Sequence, residues 1–242
     1  MGLVRQRYEA FATAESPVLR ISYQVSGDRP PPPEDIHAAR QVPIAGRRRG
    51  TQVELEGGMF RGAWDQATGR MEIDGPLATY PVDRLIGQMV YAVRGDTVIF
   101  HAAGLVFSGM GHLCCGPSGS GKSTLAALFP NEALCDEHVA VRLDGETASI
   151  SALPFWKGRR GSAPLEAIHF LNHAGQNQRR RVSPGEALSR LRSEVIWPSF
   201  GEDTLRRAFS VFCDLLERVP VWRLGFRPET TVRGFLTGEA SE

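Results

Sequence analysis

The chain has 242 residues, 42% hydrophobic and 23% charged, proportions of a globular protein with room for a sizeable core. Its 28 Lys+Arg almost cancel 27 Asp+Glu, and a net charge of +1 argues against a general nucleic-acid-coating role. Four cysteines, two of them the adjacent Cys114 and Cys115, suit neither a disulfide framework nor the spacing of a zinc site, so a reducing cytoplasm is expected.

The opening MGLVRQRYEAFATAES lacks the apolar core of a secretion signal, and no later run is long enough to span a bilayer. Gly2 is followed by Gln6 where an acylation motif needs Ser or Thr, so no membrane anchor is expected. Residues 1–80 read as a small, mostly antiparallel β region. Its strands are the alternating LRISYQV from Leu19 and the stretch TQVELEGGMFRGAWDQATGRMEI from Thr51, with turns at Gly57-Gly58 and at Ala67 to Gly69. Between them, prolines 30–33 and the run Arg47 to Arg49 predict an exposed irregular loop.

From Pro81 the period changes, and residues 81–242 read as a second domain. Leu85, Ile86, Met89, Val90 and Val93 mark one face of a helix that Asp83 can start. Three short apolar runs, TVIFHA, GLVFSG and GHLCCG, predict core strands, and EALCD, HVAVRL, SISALPF and LEAIHFL continue them past residue 130. Two helical patterns close the chain. Ser183-Pro184-Gly185-Glu186 is a capping box for the first. The second starts near Asp203 or Thr204, places Leu205, Ala208, Phe209, Phe212, Leu215, Leu216 and Val219 on one core-facing stripe, and ends at Pro220. No internal repeat is visible.

Residues Gly116-Pro117-Ser118-Gly119-Ser120-Gly121-Lys122-Ser123 satisfy GxxxxGK[ST] and lie between an apolar strand and the helical STLAALF, the context a phosphate-binding loop requires. Glycines at this spacing let backbone N–H groups turn inward around an anion. Lys122 is one of two lysines against 26 arginines, which fits a point charge that must reach between phosphate oxygens. The Ser123 hydroxyl would ligate Mg²⁺, with Thr124 next at the helix start.

Cys135 follows Thr124 by eleven positions, and Asp136-Glu137 come next, two carboxylates at a strand end one strand from the loop. In phosphoryl transfer one carboxylate can hold metal while another accepts the proton of the attacking hydroxyl. His101 ends the run TVIF, and a parallel or hairpin return could bring it to the phosphates. The other histidines, at 37, 112, 138, 169 and 173, show no metal-ligand spacing and stay unassigned.

The run HAAGLVFSGMGHLCCGPSGSGKSTLAALFP followed by ALCDEHVAV resembles the HPr kinase/phosphorylase family, and most of all its short relatives such as the serine kinases of lasso-peptide gene clusters. A His-Ala before a strand, a Gly-rich strand into the loop, and an acidic pair a dozen residues on recur in order, over about residues 96 to 145. The resemblance implies an α/β P-loop kinase core of the HPr kinase/PEP carboxykinase type with a mixed sheet, ATP and Mg²⁺ as cofactors, and a serine-type hydroxyl of a peptide or small protein as acceptor. It gives His101 the place of the active-site histidine, Asp136 that of the catalytic carboxylate and Glu137 that of the neighbouring metal-proximal acid. It leaves a homo-oligomer open. Lys-Ser-Thr in place of Lys-Ser-Glu, Glu137 as second acid, and no glycine-rich carboxy-terminal segment argue against phosphorylase activity and HPr as substrate.

Three other readings share this machinery. A metabolite could be the acceptor, since substrate choice lies in loops outside the phosphate site. A nucleotide-binding sensor without turnover would need no Asp136. An ABC-type ATPase is excluded by spacing, because its LSGGQ signature and a long insert separate the two motifs. Arg159 and Arg160, after Trp156 and Lys157, form a basic cluster that either meets an acidic substrate or lies in a solvated loop.

Overall fold

The computed structural model describes residues 20–25, 44–57, 60–75, 80–154 and 158–240. Prolines 30–33, Gly58, Trp156 and Lys157 lie outside them. Two compact units emerge from the contacts, one comprising residues 1–93 with 198–206 and the other residues 94–197 with 207–242. The helix from residue 80 therefore belongs with the first sheet and not with the domain that follows it.

In the first unit, alternating apolar and polar residues build the strands β3 (Gln52–Gly57), β4 (Phe60–Asp65) and β5 (Arg70–Gly75), which pair antiparallel as a meander. Val53, Leu55, Phe60, Trp64, Met71 and Ile73 point to one buried face, while Glu54, Glu56, Arg61 and Glu72 stay exposed on the other. The helix α1 (Tyr80–Val93) lays Val82 and Leu85 on that face, and Phe200 joins the same core.

One expectation changes here. Arg47 to Arg49 lie in a strand, β2 (Ala45–Arg49), antiparallel to β3, and not in an irregular loop. At the sheet edge charged side chains remain solvated while the backbone satisfies β3, so an arginine run is no obstacle. At the opposite edge β1 (Arg20–Val25) pairs parallel with β5, so the sheet is mixed.

The second unit is built on β6 (Thr97–Phe107), an eleven-residue strand. The apolar runs TVIFHA and GLVFSG thus form one element continuous through Gly104, almost wholly buried, as expected for a strand covered on both faces. Its neighbours are β7 (Met110–Cys115), β8 (Ala133–Cys135) and β9 (His138–Asp144), all antiparallel to it. Next to β7 runs β11 (Ser162–His173), parallel, then β13 (Val221–Phe226), parallel, and β12 (Gln178–Arg181) at the edge. The strand β10 (Thr147–Ala152) pairs with β9 and with the start of β11, so the sheet curls upon itself at that end.

Helices cover both faces. On one, α3 (Pro184–Leu191) and α4 (Glu202–Arg218) bury Ala187, Leu191, Phe212, Leu215, Leu216 and Val219. On the other, α2 (Lys122–Leu128) and α5 (Val232–Thr237) bury Leu125, Ala126, Val232 and Leu236. The capping box holds, since Ser183 Oγ accepts from the Glu186 N–H at 3.3 Å. The α4 stripe is narrower than its spacing suggests, because Leu205 and Phe209 remain exposed. Two closing helices were expected, but β12, β13 and α5 are added. VWRLGF is a strand because it supplies a parallel partner to β11, a non-local requirement. The whole is an α/β protein with two mixed sheets. Among the described residues no helix is long and apolar enough to cross a membrane.

Two histidines unassigned from sequence sit on adjacent strands of this sheet, His112 on β7 and His169 on β11. His112 Nδ1 and His169 Nε2 are 3.4 Å apart, and both residues are buried. Burial, with help from the Arg179 charge, pushes His112 down to about 4 from 6.5. Burial drives His169 well below its ordinary value, with the charges of His112 and Arg179 adding. Because the unfolded chain binds protons that the folded one refuses, stability is complete above pH 6.5 and declines as pH falls towards 4. Thermal unfolding midpoints across that window should fall accordingly, with His112 alone contributing about 3 kcal/mol. A double replacement of both histidines by Asn should flatten the dependence.

Candidate nucleotide-phosphate site

Strand pairing decides what meets at this site. Ala102 on β6 lies opposite Cys115, the last residue of β7, so the loop Gly116 to Gly121 leaves the sheet level with Ala102. On the other side of β6, Gly104 lies opposite Cys135, the last residue of β8. The chain then turns through Asp136 and Glu137, and Glu137 O accepts from the Ala102 N–H at 3.1 Å. The phosphate loop and the acidic pair thereby bracket one short stretch of β6, with His101 adjoining.

Three glycines shape the loop. Gly116, Gly119 and Gly121 have φ of 154°, 80° and 100°, a region costly for other residues. A Cβ at Gly121 would stand 2.6 Å from Phe226 Cζ, and one at Gly116 2.6 Å from Ser120 Oγ. The Ser120 N–H donates to Pro117 O at 3.0 Å, and its buried Oγ has no partner among the described residues. Lys122, 7% exposed, folds back so that Nζ donates to Gly116 O and, at 3.2 Å, to Pro117 O, which keeps the ammonium at the loop mouth. Pro117, Ser118, Gly119, Ser123 and Thr124 are exposed.

The acidic turn is equally constrained. Cys135 Sγ donates to His138 O at 3.0 Å across it. Asp136 is 9% exposed, and Glu137 Oε2 lies 3.5 Å from His101 Nε2. Burial pushes the Cys135 thiol up to about 11 and raises those of Cys114 and Cys115, so all three are neutral packing groups. Arg159, which the sequence left between a substrate contact and a solvated loop, is exposed and donates to Ala133 O and Asn131 O at 2.7 Å each, clamping the strand that delivers Asp136. Arg160 is exposed beside it.

His173 is a site residue that sequence reasoning passed over. It ends β11, stacks on Phe226 with ring centroids 6.2 Å apart, and its Nε2 reaches Gly119 O at 2.6 Å, bracing the loop from the sheet. Only the parallel pairing of β11 with β7 and β13 creates that contact, so no local signal announces it.

The residues fit a magnesium nucleotide. Lys122 keeps its ammonium against the loop, the buried Ser120 hydroxyl has no partner among the described residues, and the exposed Ser123 hydroxyl stands at the helix start, a donor set suited to phosphates and to an ion that takes few protein ligands.

No family model matches the chain, and no curated protein matches it. Among solved structures it is similar to an Hpr(Ser) kinase/phosphatase from Coxiella burnetii, at 13% identity and a TM-score of 0.33, over 57% of this chain and 91% of that one.

Replacing Gly121 by Ala should press a methyl group against the buried Phe226 and strain φ, costing on the order of 2 kcal/mol. Calorimetry should show a thermal midpoint lower by several degrees together with weakened nucleotide binding. An unchanged midpoint would mean that the loop is not pinned on Phe226.

Proposed function

We propose that this protein is an ATP- and Mg²⁺-dependent kinase that transfers the γ-phosphoryl group to a serine-type hydroxyl of a peptide or small protein. The observation that carries the reading is the pairing of β7 and β8 on either side of β6, which sets the loop Gly116 to Ser123 beside Asp136 and Glu137. A glycine turn that merely caps a helix needs no carboxylates at its side. The motif text adds support, as does the resemblance over residues 96–145. Four free cysteines accord with a cytoplasmic setting.

Each residue then has a task. Loop amides from Gly116 to Gly121 and the Lys122 ammonium hold the phosphates and stabilise the charge on the transferring group. Mg²⁺, when bound, supplies further neutralisation of the β- and γ-phosphate charge, with Ser123 and Glu137 as the residues to hold it and Thr124 beside them. Asp136 receives the acceptor's proton as the hydroxyl oxygen bonds to the γ-phosphorus. The bond from that phosphorus to the β,γ-bridging oxygen breaks, and ADP leaves. His101, close to Glu137, orients that carboxylate and borders the γ-phosphate position. A peptide acceptor rests on the resemblance to short serine kinases.

The test is intact-mass spectrometry of serine-containing peptides and small proteins incubated with enzyme, Mg²⁺ and ATP. A gain of about 80 Da per phosphate is expected, and none with Lys122→Ala. Asp136→Asn should bind nucleotide much as the parent does while transfer drops about 10²- to 10⁴-fold. Undiminished transfer by Asp136→Asn would remove Asp136 as base. His101→Ala should lose less, and an unchanged rate would leave that histidine a structural residue. If no peptide gains mass while a metabolite does, the acceptor is the small molecule.

A further inference from the structure

The strand β12, QRRR at 178–181, carries charge that the phosphate site does not use. It ends the second unit's sheet. The far side closes where β10 pairs with β11, while β12 pairs with β13 on one side only. The Val182 N–H donates to Val221 O at 3.0 Å, so antiparallel alternation turns the N–H and C=O groups of Arg179 and Arg181 away from β13. Among the described residues no backbone group bonds to them.

Both faces of this edge are basic. On one, the Arg179 and Arg181 guanidinium carbons lie 4.3 Å and 5.2 Å from the Trp222 ring centroid. On the other, Arg180 stands opposite Arg223, and Arg180 and Arg190 share the Glu186 carboxylate at 3.0 Å each. Among the described residues Arg179, Arg181 and Arg223 have no acidic side chain within 4 Å. Charges on an edge strand repel chance pairing with apolar chains, and without acids beside them they attract an acidic one.

The edge begins at the loop end of the sheet. Gln178 pairs with Gly225, the neighbour of the Phe226 that a Cβ at Gly121 would meet, and the turn into β12 leaves His173, which reaches Gly119 O. In the order β7, β11, β13, β12, a strand added beyond β12 stands about 19 Å from β7, the strand that delivers the loop. That distance takes about six residues of extended chain.

We propose that the outer edge of β12 docks an acidic, extended segment of the acceptor polypeptide, adding it to the sheet as a further strand and leaving a serine about six residues away within reach of the phosphate loop. The inference rests on the kinase reading and deepens it to an acceptor class. Consecutive Asp or Glu residues are required, because successive side chains of the added strand face Arg181 on one side of the sheet and Arg180 on the other. The outward main-chain groups suit a polypeptide, which offers matching N–H and C=O groups.

Fluorescence anisotropy without ATP tests the docking, with a labelled peptide carrying a run of Glu about six residues from a serine as probe. Arg181→Ala should weaken binding about threefold, the effect of one exposed ion pair. Arg181→Pro also deletes the outward N–H, is tolerated on an edge strand, and should weaken binding about fivefold more at a thermal midpoint equal to that of Arg181→Ala. With Mg²⁺ and ATP, peptides whose Glu run is replaced by Gln or moved next to the serine should be phosphorylated several-fold more slowly at limiting concentration. Parental affinity in both Arg181 variants, or tighter binding of an RNA oligonucleotide than of the probe, would overturn the proposal, while phosphorylation of serine peptides would keep the kinase reading. Probe binding that depends on Arg181, with no phosphate transferred to any peptide, would uphold the docking edge and overturn the kinase reading.

Discussion

The hydrogen bond from the Ala102 N–H to Glu137 O, and the pairing of the same residue with Cys115, hold the second unit's chemistry together. One residue of a fully covered strand is the common reference for a loop arriving on one side and an acidic turn arriving on the other. Since β6 is almost entirely buried, neither neighbour can shift without opening the core. The glycine-rich loop is accordingly anchored against a buried strand.

Electrostatics explains why the arrangement needs so many supports. In the proposed function the loop gathers its N–H groups around phosphates near Asp136 and Glu137, and these like charges would weaken that binding if they lay inside the loop. A strand's width keeps them apart, and a cation can share both sides. The carbonyls of Gly116 and Pro117 hold the Lys122 ammonium, His173 braces Gly119, and Arg159 clamps the strand bearing Asp136. Each contact removes freedom from a group whose usefulness depends on where it stands.

Much of this was legible in the chain. The loop was, because glycine, lysine and serine at fixed spacing between a strand and a helix is a local pattern with a local cause. So were the meander, whose period-two alternation needs only one buried face, and the helix at Tyr80, whose apolar residues recur at helical spacing. Less visible were the elements whose existence depends on a distant partner. QRRR at 178–181 carries no strand pattern, yet it pairs with β13, and the arginine run at 47–49 becomes a strand because β3 needs an edge. Leu205 and Phe209 follow the helical stripe and are nevertheless exposed, since period alone does not say how wide the covering surface is.

By itself the sequence determined an α/β chain with a phosphate-loop motif, an acidic pair close behind it and a histidine ahead of it, because these depend on residue type and short spacing. Only the tertiary structure decided that Cys115 and Cys135 flank β6 close to its own His101, that His173 supports the loop, and that Arg159 serves the backbone. Those facts rest on registers between strands distant in sequence, and a register is chosen by the burial of whole faces at once.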